Sequence, residues 1–280
     1  MTITEHIDAL EAAGRGLADA AAQAGPDAEV PTCPGWRVRD LLRHTAMVHR
    51  WATTLVAEAR TSYHPGDGET TLDGEELLAH FREGHARLVA TLRAAPESLE
   101  CWTFLPAPSP LAFWARRQAH ETTVHRADAE SALGGGPGPV NPAVAGGGGV
   151  RLGGGVHCRR AGPVGGEGAR AGRERRGAPA AGGEDGPGGC PPGVRGGVRP
   201  VGPAPLRLRA TDTGDVWTVR LTPAEPPRTE RGARGPADTE LSGPADRLYL
   251  TLWNRLPADA VTVSGDPDLA RLWRETSAIT

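Results

Sequence analysis

Apolar residues recur every three or four positions in four stretches of the first half of the chain, the period expected of a helix with one buried face. Start signals precede three of the stretches: a possible capping box that begins at Thr2, and N-cap residues at Asp73 and Ser109. The predicted helices run from 2 to about 22, from 38 to about 58, from 73 through 92, and from 109 to about 133. Four helices of about 20 residues predict a four-helix bundle.

The last 75 residues or so change to the alternating period of strands. A turn at Thr213-Gly214 separates the first two of them, as in a hairpin. The predicted strands are 206–210, 216–221, 239–242 and 261–264, and the predicted helices run from 244 to about 256 and from 266 onward. This part of the chain is therefore predicted to be a small α+β unit.

Glycine is concentrated in the middle of the chain, where 26 of the 39 glycines lie between 134 and 202 and no Phe, Trp or Tyr occurs. Such a segment buries too little apolar area to offset the entropy lost when its backbone is ordered. We therefore predict three units. They are a helical bundle over 1–135, a Gly/Arg/Pro-rich low-complexity segment over 136–205, and the α+β unit over 206–280.

The middle segment has a second explanation in the coding DNA. All 31 basic residues of the chain are arginine, a usage typical of GC-rich genes, whose other reading frames encode mainly glycine, arginine, proline and alanine. We hypothesise that residues 145–205, approximately, are translated out of frame. Resequencing the gene tests this hypothesis, because an intact frame on both sides without compensating indels would contradict it.

Composition excludes several functions. Without lysine the chain has no P-loop lysine and no Schiff-base lysine. Its net charge of −3 provides no net attraction to nucleic acid or to anionic membranes. The N-terminal residues lack a basic signal region, and no apolar run approaches the roughly 18 residues of a membrane span. We expect a cytoplasmic monomer or weak dimer with reduced cysteines and with neither nucleic-acid nor membrane partners.

Candidate metal ligands lie on the fourth predicted helix. Glu121 and His125 are four residues apart, so their side chains share one face and can bind one cation. His44 lies on the apolar face of the second helix and supplies a third ligand if the two faces meet. Two imidazoles and one carboxylate are typical of a catalytic divalent metal, zinc first and iron or nickel as alternatives.

Structural roles for these residues stay open at this point. His44 could be a hydrogen-bonded core histidine, and Glu121 with His125 could be a helix-surface pair. His85 is predicted to pack in the core, and His49 to lie at the surface or its boundary. The HExxH pattern of zincins is excluded, because its second histidine would fall on Val124.

Two motifs resemble those of the mycothiol-dependent maleylpyruvate isomerase family. The first is PTCPGWRVRDLLRH over 31–44, with VHRW at 48–51, and the second is HETTVHRADAE over 120–130. The resemblance covers the chain from Met1 to about Leu133 and resumes at about Leu206. It implies a DinB-like bundle, a C-terminal α+β domain similar to sterol carrier proteins, and zinc ligands at the positions matching His44, Glu121 and His125.

This chain departs from the family pattern at two positions. Arg37 stands where relatives usually cap the second helix with Ser or Thr. The change is expected to weaken that helix end and leaves Asp40 to favour it. Ala127 replaces a tryptophan common beside the second histidine, which is expected to enlarge or loosen the wall of the site.

The resemblance also implies a reaction. In the implied isomerisation, a metal-activated thiolate of mycothiol adds to an alkene, the former double bond rotates, and the thiol is eliminated. Transfer of the thiol to another electrophile shares the first of these steps, the attack by the thiolate. We therefore predict a metal-dependent isomerase or thiol S-transferase acting on a small electrophile. Asp128 either orients His125 or lies at the surface, and Cys33 is predicted to be structural because no activating base is evident.

Two other functions remain open. Residues 151–199 hold nine arginines against four acidic groups, as in arginine-glycine RNA-binding segments, although aromatic residues for base stacking are missing there. Alternatively, the bundle binds its metal without catalysis and acts as a regulatory partner.

Overall fold

The computed structural model describes residues 1–149, 204–221 and 228–276. Most of the low-complexity segment, and with it most of the proposed out-of-frame region, lies outside the described residues. So do two of the four cysteines, Cys158 and Cys190; the other two, Cys33 and Cys101, are free thiols.

Four long helices form the N-terminal bundle, as the periodicity predicts. At the first helix, Thr2 Oγ1 accepts from the Glu5 N–H at 3.2 Å and the Glu5 carboxylate accepts from the Thr2 N–H at 2.7 Å, so the capping box is present. At the second helix the Arg37 side chain makes no cap bond, but the Arg37 N–H donates to Asp40 Oδ2 at 2.9 Å, so Asp40 stabilises that helix end. The helices are α1 (Ile3–Ala24), α2 (Val38–Ala57), α3 (Gly74–Ala94) and α4 (Pro110–Ser131).

The bundle core lies between these helices in two apolar clusters. One contains Trp114 of α4 with Leu88 of α3 and Leu10 of α1, and the other contains Phe81 of α3 with Leu41 of α2. Each of these side chains is almost completely buried. α1 packs mainly on α4, and α2 packs mainly on α3. α2 also contacts α4, and the candidate ligands lie at that contact.

The C-terminal part is a five-stranded mixed sheet with helices, and the predicted α+β character is confirmed. The strand order is β3-β2-β1-β4-β5, in which β1 pairs with β4 in parallel and the other neighbours are antiparallel. The strands are β1 (Ala204–Ala210), β2 (Val216–Leu221), β3 (Arg228–Arg231), β4 (Thr239–Gly243) and β5 (Thr262–Gly265). The remaining helices are α5 (Pro142–Gly149), α6 (Ala245–Leu252) and α7 (Pro267–Thr276), with a 3-10 turn at Ala258–Ala260.

The bundle and the sheet share one apolar cluster. Val124 and Ala127 of α4 belong to the same buried group as Leu208 of β1 and Tyr249 of α6. Ala127 therefore packs at the joint between the two parts. The joint places the end of α6 beside the second half of α4.

Candidate metal centre

Three side chains from two helices meet at the centre of α4. His44 Nε2 of α2 lies 3.6 Å from Glu121 Oε1 of α4, and His125 Nε2 lies 3.3 Å from the same oxygen. One donor atom from each residue lies within 4.8 Å of the others. Among the described residues, no other group of three His, Cys, Asp or Glu side chains comes as close together. These are the three residues that the sequence offered as candidate ligands, His44 on the condition that the two helix faces meet.

The cluster is closed toward the bundle and open at His44. Glu121 and His125 are largely buried, whereas the His44 side chain is 27 % exposed, with the Trp36 ring 5.2 Å from its own. Glu69 Oε1 approaches His44 Nδ1 at 3.9 Å from the loop before α3. His44 thus lies at the mouth of the cluster and not in the core, and the mouth offers access for a further ligand from solvent.

The charges around the cluster keep Glu121 ionised. Burial raises the pKa of the Glu121 carboxyl, but the Arg117 guanidinium and the bonds from His125 and His44 outweigh burial and hold that pKa well below its usual range. Burial likewise disfavours protonated His125, yet hydrogen bonds to Asp128 and Glu121 raise its pKa to about 9. The site is built to stabilise a positive charge between its donor atoms.

Asp128 fixes the orientation of one imidazole. Its Oδ2 lies 2.9 Å from His125 Nδ1, which leaves His125 Nε2 directed at the cluster. Thr32 Oγ1 donates to the other carboxylate oxygen at 2.6 Å. Asp128 is completely buried, so of the two roles left open by the sequence the structure supports orientation and excludes the surface.

Arg255, which follows α6, neutralises Asp128 across the joint. Its Nε and Nη2 donate to the two carboxylate oxygens at 2.7 and 2.9 Å, and its side chain is almost fully buried. Its Nη2 also lies 3.6 Å from Cys33 Sγ. Sequence reasoning missed Arg255, because a residue 127 positions from its partner leaves no local pattern.

Cys33 has the environment of a structural thiol. Burial, followed by the nearby Asp128 charge, raises the pKa of the Cys33 thiol to about 12. Almost no thiolate therefore exists near neutral pH, and a nucleophilic role is disfavoured. This agrees with the structural role that the sequence predicts.

The other two histidines of the bundle stripes are buried. His85 packs against Phe81 with stacked rings 6.1 Å apart, and its Nε2 lies 3.3 Å from the Glu11 carbonyl, which confirms core packing. The prediction that His49 lies at the surface or its boundary is wrong, because His49 is completely buried and bonds Thr122 Oγ1 at 2.8 Å. The edge of the α2 stripe is covered because α3 and α4 both pack against it.

The described helices include none that is both long enough and apolar enough to cross a membrane.

Comparison with known proteins agrees with this architecture. Residues 7–130 match the family model described as the mycothiol maleylpyruvate isomerase N-terminal domain. The crystal structure of the mycothiol-dependent maleylpyruvate isomerase is similar with a TM-score of 0.57, and that of a histidine-to-alanine mutant with 0.56. Each similarity covers 94 % of this chain and 93 % of the other at 13 % sequence identity, so it establishes the fold alone.

No curated protein gives a match to the chain. The matched domain and the shared fold nevertheless confirm the resemblance carried by the two motifs. Residues 7–130 of this chain therefore resemble the mycothiol maleylpyruvate isomerase N-terminal domain, on a fold like that of the mycothiol-dependent maleylpyruvate isomerase.

Proposed function

We propose that the protein is a metal-dependent enzyme that adds the thiolate of a small thiol, mycothiol first, to an electrophilic small molecule. The observation that carries this proposal is the convergence of His44, Glu121 and His125 within 4.8 Å beside an open mouth. The two outcomes we propose are isomerisation of an alkene and transfer of the thiol.

The donor set suits zinc. Two imidazoles and one carboxylate leave at least one position for an outside ligand, as in catalytic zinc sites, and an ion would bind His125 by displacing its proton. The hydrogen bond from His125 Nδ1 to Asp128 holds the imidazole with Nε2 free, an arrangement common around metal-binding histidines. When bound, such an ion lowers the pKa of a thiol so that it is held as the nucleophilic thiolate near neutral pH.

The residues of the chain supply geometry and charge for this chemistry. Glu121 stays ionised, Asp128 orients His125, and the exposed edge of His44 marks the side from which thiol and electrophile enter. In isomerisation, the sulfur bonds one alkene carbon, the resulting single bond rotates, and the same carbon–sulfur bond breaks. The thiol is returned unchanged, so no further reactant is needed.

Metal analysis of the purified full chain tests the proposal. We expect one metal ion per chain in the wild type, and metal binding weakened at least about tenfold in His44→Ala, Glu121→Ala and His125→Ala. His80→Ala is the matched control, because His80 lies on α3 and bonds Arg50 instead of the cluster. Stoichiometric metal in all three variants would refute the site.

Turnover separates catalysis from binding. Zinc-loaded protein should consume an electrophilic alkene only when a thiol is supplied, and the three ligand variants should lose that activity. Bound zinc without thiol-dependent turnover would instead favour the non-catalytic metal-binding bundle.

A further inference from the structure

Three Asp-Gly pairs occur in the chain, at 67–68, 73–74 and 185–186. Aspartate rearranges most readily before glycine, because glycine has no side chain to hinder attack by its own nitrogen on the preceding carboxyl group. The first two pairs lie between α2 and the start of α3, and the third lies outside the described residues. The same dipeptide therefore occurs twice in one segment, in two different surroundings.

The first pair has both of its reactive groups free. Asp67 and Gly68 are exposed and belong to no helix or strand. Among the residues that the structure describes, none makes a hydrogen bond or an ion pair with the Asp67 carboxylate or with the Gly68 N–H. A Cβ built on Gly68 would meet no atom within 4 Å, so the space around this residue is open. The two groups can therefore approach each other without losing an existing interaction.

The segment is attached to α2 on either side of this pair. Before it, Trp51 Nε1 donates to the His64 carbonyl at 2.7 Å. After it, the Arg43 guanidinium donates to the Leu72 carbonyl through Nη2 at 2.9 Å and Nε at 3.0 Å. The residues between the two attachments can change their backbone dihedrals while both attachments stay in place.

The second pair is held in place by its neighbours. Asp73 is the N-cap of α3, and its Oδ1 accepts from the Gly74 N–H at 2.8 Å. The other oxygen pairs with the Arg39 guanidinium, and the Asp73 carbonyl accepts from the Leu77 N–H at 3.2 Å. Attack on the carboxyl carbon requires a glycine nitrogen that faces that carbon and has lost its hydrogen bond. These contacts must therefore break before Asp73 can react.

We propose that Asp67 forms isoaspartate spontaneously in the folded protein, whereas Asp73 is protected. The Gly68 nitrogen bonds the side-chain carboxyl carbon of Asp67. The carboxylic acid loses its OH and the amide loses its hydrogen, and together they leave as one water molecule. Water then opens the resulting succinimide ring at either carbonyl carbon, which gives aspartate or isoaspartate. Solvent water is the one co-reactant of this sequence.

The rearrangement alters the segment beside the candidate metal centre. In isoaspartate the main chain runs through the side-chain carbon, so one methylene is added to the backbone shortly before Glu69. Asp67, Gly68 and Glu69 line a cavity of about 460 Å³ next to α2, and Glu69 Oε1 lies 3.9 Å from His44 Nδ1. The wall of this cavity is therefore longer in aged protein. The inference does not depend on the proposed function.

Peptide mapping of the full chain, incubated at neutral pH and physiological temperature, tests the proposal. Trypsin cleaves after Arg60 and Arg82, so one peptide, 61–82, contains both pairs, and electron-transfer fragmentation distinguishes isoaspartate from aspartate at each. We expect isoaspartate at 67 to exceed that at 73 by at least about tenfold, because reaction at 73 must first break a hydrogen bond and an ion pair. In urea-unfolded protein the two positions should react at similar rates.

Three variants separate the chemistry of the dipeptide from the effect of the structure. Asp67→Glu should lose the modification at 67, because its additional methylene disfavours ring closure. Arg39→Met releases one oxygen of Asp73 and should raise isoaspartate at 73 by about threefold or more, with circular dichroism to confirm the fold. Arg15→Gln removes a surface pair with Glu11 on α1 and is the matched control, which should change neither position.

Two results in the wild type would overturn the proposal: equal isoaspartate at 67 and 73 in the folded protein, or isoaspartate at 67 in urea alone. A folded Arg39→Met protein that ages at 73 as the wild type does would contradict protection by the ion pair.

Discussion

At the scale of single residues, Asp128 connects three side chains from different parts of the chain. One buried carboxylate orients His125, accepts from Thr32 and pairs with Arg255 from the other side of the joint. Burial raises the pKa of that carboxyl, but His125 and Arg255 outweigh burial and hold it far below the usual range. Such a group is stable only while its counter-charges are in place.

Arg255→Met should therefore destabilise the full chain strongly. The substitution leaves the Asp128 charge buried with fewer partners, and we expect the free energy of unfolding to fall by about 3 to 5 kcal/mol. Urea unfolding followed by circular dichroism measures the change. In the double variant that carries Arg255→Met and Asp128→Asn, the free energy of unfolding should fall by less than the sum of the decreases in the two single variants.

Arg271→Met is the control for that experiment. Arg271 pairs with Asp268 at 3.1 Å in the same part of the chain, but both side chains are exposed. Its removal should change stability by less than about 1 kcal/mol. If Arg255→Met lowers the free energy of unfolding no more than Arg271→Met does, the buried pair of Arg255 and Asp128 does not stabilise the fold.

Whether a residue of the site could be predicted from the sequence depends on how many positions separate it from its partner. Glu121 and His125 are four residues apart on one helix, and that spacing alone places them together. His44 needed a guess about which helices meet. Arg255 could not be found, because its partner lies 127 residues earlier and no local pattern marks it.

At the scale of elements, the approach of α1 to α3 depends on one glycine. A Cβ at Gly14 would lie 2.2 Å from the His85 ring, so the ring packs directly on the α1 backbone. Since His85 is itself buried beside Phe81, it has no free space to move into. The contact sets how closely the two helices pack.

Gly14→Ala is expected to lower the free energy of unfolding by about 1 to 3 kcal/mol, the usual effect of overpacking. Intrinsic helix propensity acts the other way, because alanine favours a helix over glycine by about 1 kcal/mol. Gly16→Ala on the same helix is the control: its Cβ would meet the flexible Arg126 Cδ at 2.9 Å. If Gly14→Ala and Gly16→Ala are equally stable in thermal or urea unfolding, the close contact between the His85 ring and the α1 backbone does not affect stability.

Local signals predicted most elements and failed at two. α1 and α4 carry caps and regular apolar stripes, and their starts were placed within two residues. β3 was missed because Arg228–Arg231 is a short, mostly charged edge strand without alternation. α5 was missed because its glycines disfavour a helix, and it is instead stabilised by burial of Val144 and Ala145 in the shared apolar cluster.

At the scale of the whole molecule, two buried histidines lie where the bundle meets the sheet. The rings of His6 on α1 and His120 on α4 are 6.0 Å apart, and His120 Nδ1 lies 3.1 Å from the Tyr249 hydroxyl of α6. Burial, followed by the Met1 amino group and Arg116, lowers the pKa of His6 to about 4, against the opposing charge of Glu5. Burial lowers that of His120 to about 3.

Acid should consequently weaken the fold at this joint. The unfolded chain protonates these histidines near pH 6.5 and the folded chain only near pH 4 or below. The free energy of unfolding is therefore at its full value above about pH 6.5. Below that pH it falls by up to about 1.4 kcal/mol per pH unit for each histidine. Between pH 6.5 and pH 5, the free energy of unfolding of His6→Gln should fall by about 1.5 kcal/mol less than that of the wild type, as measured by urea unfolding. The same pH dependence in both proteins would contradict this.

Because Asp128 is neutralised by Arg255 from the C-terminal part, the candidate metal centre cannot simply be moved to another protein as part of the bundle alone. A fragment ending after α4 would retain all three candidate ligands. It would also keep the buried Asp128 carboxylate without Arg255, which lies in the C-terminal part, and it would expose Val124 and Ala127 to water. The two helices that carry the candidate ligands are thus no self-sufficient module. Whoever shortens this protein must first engineer a substitute for Arg255 inside the retained part.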